Sequence, residues 1–384
     1  MTSLADLPLP QSCEELLTQT VSFETVNQNF GGPAGGEAAL ISYLEKLGGE
    51  WGLSARRLPV DGGGENLLLT CEVSKEAPWL LFESHVDTVS IAGMTVDPLI
   101  IKADGDRLYG RGTCDTKGSG AAMLWALKNY AQQQKRYYNV GLLFALDEEA
   151  GMTGAQSFAS GALNEFLPNL AGIIVGEPTL MRPVVAHNGV MRWTTKTKGV
   201  AAHSADPTKG QSAISSMVRV IDALETRYAP TVTKRDPLTG KAAFSVNVVR
   251  GGTQVNIIPE ACEIECDRRT VPGESADEIL QDRDAILAGM EVEHVDLHVV
   301  PAMSAERSSK LLALLDPVLL EHGIEAGPQG APYVTDASFY DAAGAPTIVI
   351  GPGALAQCHR KDEWVSREQL ELAVKVYGGL MRNG

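Results

Sequence analysis

Four short apolar runs, at 66–69, 79–82, 140–146 and 172–175, alternate along the first half of the chain with stretches of helical apolar spacing at 37–47 and 120–132. Runs this short suit strands, and strands without polar alternation are buried on both faces. Helices must then cover both sides of the sheet they form. The expected fold is α/β, a mostly parallel sheet with helices on both faces. An N-terminal helix is expected too, because Ser12 and Glu15 have capping-box spacing ahead of Leu16 and Leu17.

Past about residue 183 the texture changes. Segments 190–198, 243–249 and 260–268 alternate apolar with polar residues, and 212–228 reads as a long amphipathic helix, together a smaller α+β unit. Near residue 308 the first texture returns, with a helix at 309–322 and an apolar strand at 347–350. A chain of 384 residues also exceeds the size at which one core usually divides. The expected organisation is a first domain at 1–182 and 301–384, interrupted by an inserted second domain at 183–300.

A formal net charge of −16 opposes binding to phosphate backbones or anionic lipid, so neither nucleic acid nor a membrane is an expected partner. No run of 18 apolar residues occurs, and residues 1–6 show no basic segment followed by an apolar one. A cytoplasmic protein is the simplest expectation. The six cysteines are scattered, and a chain of this size needs no disulfide staples, so reduced thiols are expected. Cys262 and Cys266 would share one face of a strand as small core residues.

Strands of an open α/β sheet deliver functional groups just beyond their C-terminal ends. The run 79–82 leads into His85 and Asp87, 140–146 into Asp147-Glu148-Glu149, 172–175 into Glu177, and the last strand, through Gly351-Pro352-Gly353, to Cys358-His359. Asp115 lies in a glycine-rich turn at the mouth of a helix. Taken singly, His85 could be a hydrogen-bonded half-buried histidine, Glu148 and Glu149 a solvated helix start, and Asp115 a cap. Together they would form an unneutralised carboxylate cluster in one crevice, an objection that a pair of divalent cations removes.

The set HxDTV (85–89), GRGTxDxKG (110–118), DEE (147–149), GEPT (176–179), GxxAHS (199–204) and CHRKDEW (358–364) resembles the dinuclear zinc deacylase and carboxypeptidase family. That family includes acetylornithine deacetylase, succinyl-diaminopimelate desuccinylase, aminoacylase and glutamate carboxypeptidase. GEPT and the GPG…CHRKDEW ending look most like the first of these. The resemblance implies two divalent metal ions, zinc first and cobalt or manganese as substitutes. It makes Asp115 their bridging ligand, His85 and Glu177 the further ligands of one, and Glu149 and His359 those of the other. Glu148 becomes the general base and Asp87 the residue that orients His85, and the peptide after Asp115 is expected to be cis. The inserted domain is expected to act as a lid and to pair with its copy in a homodimer, with His203 reaching the partner's site as an oxyanion donor.

Arg269, in DRRTVPG, resembles the family's substrate-carboxylate arginine, and Asn256, in GGTQVNIIP, its companion. Alternation alone places Arg269 on a polar face, where it could equally be a surface ion-pair partner. The expected activity is hydrolysis of a small N-acyl amino acid to an amino acid and a carboxylate. The alternative is a metallocarboxypeptidase or dipeptidase acting on small peptides. A catalytically silent binding module is the reading from another class; its signature would be loss of Glu148 or of a ligand, and the sequence keeps them all.

Overall fold

A computed structural model describes residues 7–325 and 327–383; residues 1–6, where a leader was sought above, lie outside the described residues. The chain forms two units: Met1–Val185, Ala305–Gln329 and Thr335–Gly384 make one, and Ala186–Ser304 with Gly330–Val334 the other. Relative to the expected boundaries at 182/183 and 300/301, the division falls slightly later at both ends and gives Gly330–Val334 to the second unit. That short return is marked by backbone pairing, Asn188 N donating to Ala331 O at 3.1 Å, and hydrophobic periodicity does not register it.

The large sheet runs in the order Ser54–Pro59, Glu65–Cys71, Asn139–Ala145, Trp79–His85, Leu170–Val175, Thr347–Val349, Val184–His187, Gln329–Ala331. Its four central strands, Asn139–Ala145 to Thr347–Val349, are parallel, whereas Ser54–Pro59, Glu65–Cys71 and Val184–His187 run antiparallel to their neighbours. Burial follows this division. Trp79–His85 and Asn139–Ala145 are buried at every residue, as parallel strands covered on both faces must be, while Ser54–Pro59 at the margin is largely exposed.

Register places the site. His85 is level with Ala145 and Glu83 with Val175, so the residues after each strand emerge side by side at one sheet edge. Helix Lys117–Ala131 begins at that edge and is buried along most of its length. Its small residues permit this: a Cβ on Gly118 would stand 2.3 Å from Thr113 O, and one on Gly120 would stand 3.0 Å from Ser84 Oγ. Leu124, Leu127, Val376, Tyr377 and Leu380 join one core with the strands, where a Leu→Ala change costs about 2–5 kcal/mol.

The second unit is a four-stranded antiparallel sheet in the order Ala243–Gly251, Ala261–Thr270, Gly189–Lys198, Glu293–Val300, with helices Ala213–Ala223 and Ala276–Ile286. The helix expected at 212–228 is capped by Ser212, whose Oγ accepts from Ser215 N at 3.2 Å, and widens into a π-turn at Leu224–Tyr228. Trp193 stacks on Phe244 at 5.8 Å, and Cys262, Ile264 and Cys266 share the core-facing side of their strand. All six cysteines are free and buried. No described helix is long and apolar enough to cross a membrane.

Candidate active site

Six of the residues singled out by sequence converge at the edge of the large sheet. The Asp115 carboxylate stands between two imidazoles, Oδ1 at 3.2 Å from His85 Nε2 and Oδ2 at 3.3 Å from His359 Nε2. His359 Nε2 also lies 3.0 Å from Glu149 Oε2, and His85 Nε2 lies 3.7 Å from Glu177 Oε1 and 4.0 Å from Glu148 Oε2. The Asp115–Thr116 peptide is cis.

Asp87 is fully buried behind this cluster. Its main-chain oxygen lies 3.0 Å from His85 Nδ1 and its Oδ1 3.3 Å away, so Nδ1 is turned toward Asp87 and Nε2 faces the cluster. Asp87 also accepts from the backbone N–H groups of Glu148 (3.0 Å) and Glu149 (3.1 Å). One carboxylate therefore orients the imidazole and pins the main chain that carries the two glutamates.

The electrostatics show a site in need of positive charge. Burial drives the Glu148 and Glu177 carboxyls well above the usual carboxylate range and raises Glu149. Asp115 goes the other way: against the effect of burial, hydrogen bonds from His359 and His85 hold it below its ordinary value. Asp115 and then Glu149 push the His359 imidazole up to about 10. Burial alone would lower His85, but Asp115 and Asp87 outweigh it and raise that imidazole as well.

Divalent cations fit this donor set. Each oxygen of Asp115 faces a different imidazole nitrogen, and ligand atoms of His85, Asp115 and Glu149 all lie within 4.8 Å of one another. Glu149 Oε1 is buried without a hydrogen-bond partner, an acceptor that a cation would satisfy.

Several residues at the site were not singled out by sequence. Glu363 accepts on Oε1 from the N–H groups of Cys114 (2.8 Å) and Asp115 (2.9 Å), and on Oε2 from Gly112 N (3.0 Å) and Arg111 Nη1 (2.7 Å). It thus shapes the loop that presents Asp115. Asn27 donates from Nδ2 to Asp87 Oδ2 (2.8 Å) and to Asp147 Oδ1 (2.9 Å). Lys117 reaches Phe23 O at 2.8 Å, and burial lowers its ammonium to about 7. Burial also raises two carboxyls deeper in the fold, Glu83 to about 8 and Asp336 well above its usual range. A glutamate inside the apolar strand WLLFESH was the available signal for Glu83; nothing in periodicity marks Asn27 or Glu363.

His203, Asn256 and Arg269 belong to the second unit, apart from this cluster in the fold's division. His203 and Asn256 lie on adjoining segments: His203 pairs with Ile257, and Ser204 N donates to Asn256 O at 3.0 Å. Both side chains are exposed. Arg269 is half-buried on the polar side of its strand and donates from Nε to Asp267 Oδ1 at 2.7 Å, while Arg268 is buried against Glu274.

The sequence profile of Peptidase family M20/M25/M40 matches residues 81–383. The chain belongs to that family. It is 30% identical over 361 residues to an acetylornithine deacetylase of Proteus mirabilis, an alignment covering 90% of this chain and 88% of the relative. Among solved structures, an M20 family metallo-carboxypeptidase from Sulfolobus solfataricus superposes with a TM-score of 0.80 at 16% identity, covering 97% of this chain and 99% of that one. A dinuclear metal binding M20 peptidase from Bacillus subtilis gives 0.66 at 15% identity, covering 96% of each. At those identities the structural likeness speaks for the fold. Family membership together with the deacetylase relative makes this chain a metal-dependent hydrolase of amide bonds.

Proposed function

We propose that the chain hydrolyses N-acyl amino acids, with two divalent cations, zinc first among them, held by His85, Asp115 and Glu177 on one side and Asp115, Glu149 and His359 on the other. The observation that carries this reading is the placement of the Asp115 carboxylate, one oxygen toward each imidazole. Bound there, a cation pair would polarise the amide carbonyl and bring the pKa of water down to roughly 7. Asp115 would share its charge between the two ions, and Asp87 would keep the His85 lone pair aimed at one of them.

Glu148 is the base. Its carboxyl reaches to 4.0 Å from His85 Nε2 and its main chain is held by Asp87, so the side chain meets the cluster at a fixed place. It takes a proton from the attacking water and returns it to the departing amine. Arg269 reads the substrate's α-carboxylate through a bidentate fork, a role supported by its place on a polar strand face, and Asn256 makes a further contact to the substrate. The deacetylase relative supports an acetylated amino acid as substrate.

The second unit is read as a lid that pairs with its copy. Its edge strand Ala243–Gly251 has Val249 62% exposed, and the outer face of helix Ala213–Ala223 exposes Ile214 and Val218, a surface suited to a second copy. In such a dimer His203 would serve the partner's site as an oxyanion donor. Six free thiols support a reducing, cytoplasmic compartment.

The test is a hydrolysis panel of acetylated, succinylated and formylated amino acids beside dipeptides, on protein of defined metal content. Acetylated amino acids should be turned over fastest. Cleavage of dipeptides with no N-acyl turnover would replace this reading with a peptidase.

A further inference from the structure

Asn27 is 3% exposed and sits between two acidic segments of the site, those of Asp87 and Asp147. Its backbone is registered against the end of the Trp79–His85 strand segment: Asn27 N donates to Thr88 O at 2.9 Å, Thr88 N to Thr25 O at 3.0 Å, and Val26 bridges Thr88. Its side chain uses every polar site it has. Oδ1 accepts from Asn29 N at 3.0 Å, capping a short turn, which turns Nδ2 toward the Asp87 and Asp147 carboxylates at 2.8 and 2.9 Å.

The cap does not explain the choice of residue. Aspartate or serine would accept from Asn29 N as well as asparagine does. Only a neutral amide can accept that bond and also donate to two carboxylates that would otherwise face each other without a proton between them. Those carboxylates flank the base. Asp87 Oδ1 and Oδ2 hold the N–H groups of Glu148 and Glu149, and Asp147, the residue before Glu148, is in the left-handed region at φ 62°. Asp147 is also fastened through Oδ2 by Thr153 Oγ1 at 2.8 Å, so the Asn27 bond decides where its remaining oxygen goes.

We propose that Asn27 is a positioning residue for the Glu148 base: its amide locks Asp87 and Asp147 on either side of the Asp147-Glu148 turn and so fixes where the base can take and return a proton. This rests on the assignment of Glu148 as base, and it is a role toward proton transfer and not toward holding cations or substrate.

Asn27→Asp separates the role from the cap, since it is nearly isosteric and keeps the acceptor for Asn29 N while turning a third carboxylate oxygen, in place of the donor, toward Asp87 and Asp147. On metal-loaded protein, with the acyl amino acid turned over fastest in the panel above, kcat should fall ~10–100-fold, as for a misplaced reacting group. KM and metal content should stay at the parent's values, while the urea midpoint falls because a third carboxyl is buried beside Asp87 and Asp147. The swap Asn27→Asp/Asp147→Asn restores one amide between the two segments and should recover at least about ten-fold of that loss. Unchanged kcat in Asn27→Asp, loss of metal in parallel with kcat, or a swap no better than the single variant would each overturn the proposal. Glu148→Gln, measured alongside, tells the two failures apart. If it keeps the parent's kcat, the base is misassigned and the proposal falls with it; if it is inactive while Asn27→Asp is not, only the role of Asn27 falls.

Discussion

Replacing Glu363 by glutamine should unfold the loop that presents Asp115 more readily than any exposed substitution could. The Glu363 carboxylate is fully buried and accepts four hydrogen bonds, three from the backbone of the 112–115 segment and one from Arg111, which is itself 4% exposed. Burial pushes its pKa up, and Arg111 and the N–H donors oppose that push. Glutamine keeps one acceptor oxygen and turns an NH₂ toward the donors on the other. Two charge-assisted bonds of about 1.5–3 kcal/mol each are then lost. Breaking one side of a buried ion pair by itself costs about 3–5 kcal/mol. The two accounts describe overlapping interactions, and Arg111 Nη2 retains the Ser90 carbonyl at 2.8 Å, so the expected loss is about 3–4 kcal/mol, not the sum. Urea unfolding followed by tryptophan fluorescence reads it well, because Trp51, Trp79, Trp125 and Trp364 all belong to the first unit and only Trp193 to the second. Cation affinity should weaken about 10–100-fold in the same variant, the usual effect of losing support behind a ligand. Arg111→Met, which leaves the carboxylate its three N–H donors but no counter-charge, should cost a similar amount. A Glu363→Gln loss under about 1 kcal/mol, the range of ordinary surface changes, would refute the reasoning.

Other consequences can be checked separately. Glu148→Gln should lower kcat by at least ~100-fold with metal content unchanged, whereas Glu149→Gln should lower metal content; exchanged phenotypes, read by kinetics and metal analysis, would reverse the two roles. Arg269→Ala should raise KM for substrates with a free α-carboxylate, by roughly 2–5 kcal/mol if the pair is desolvated, and leave amidated analogues unaffected. If both substrates respond equally, Arg269 serves only its ion pair with Asp267. Burial lowers His187 from 6.5 to about 4, so the fold holds it neutral and the unfolded chain takes up its proton first. The His187 contribution should therefore be whole above pH 6.5 and fall by about 3 kcal/mol between pH 6.5 and 4, so in urea titrations the parent should lose that much more stability over the range than His187→Gln does.

What the sequence made legible was the part written as periodicity and as residues at strand ends. The uniformly apolar runs forecast central strands buried on both faces, and His85 and Glu149 could be placed at one edge because each follows such a run directly. The marginal antiparallel strands were less legible: Ser54–Pro59 carries Arg56 and Arg57 and has no apolar pattern to announce it. Asn27 and Glu363 stayed hidden for a different reason. Their roles come from hydrogen bonds to residues 60 and 249 positions away, Asp87 and Cys114, and from the full burial of polar groups that composition assigns to the surface. Arg269 marks the boundary between the two cases, since alternation gave its face while its ion pair with Asp267 depended on the strand's local geometry.

The central claim, a two-cation amide hydrolase built around Asp115, is tested most directly by restoring divalent zinc stepwise to chelator-treated protein while following hydrolysis of an acetylated amino acid and metal content together. Activity should be absent at the start and reach its maximum at about two ions per chain, as five separate ligand side chains require. Full activity without metal would contradict metal-dependent hydrolysis, and a maximum at one ion would contradict the bridging role given to Asp115.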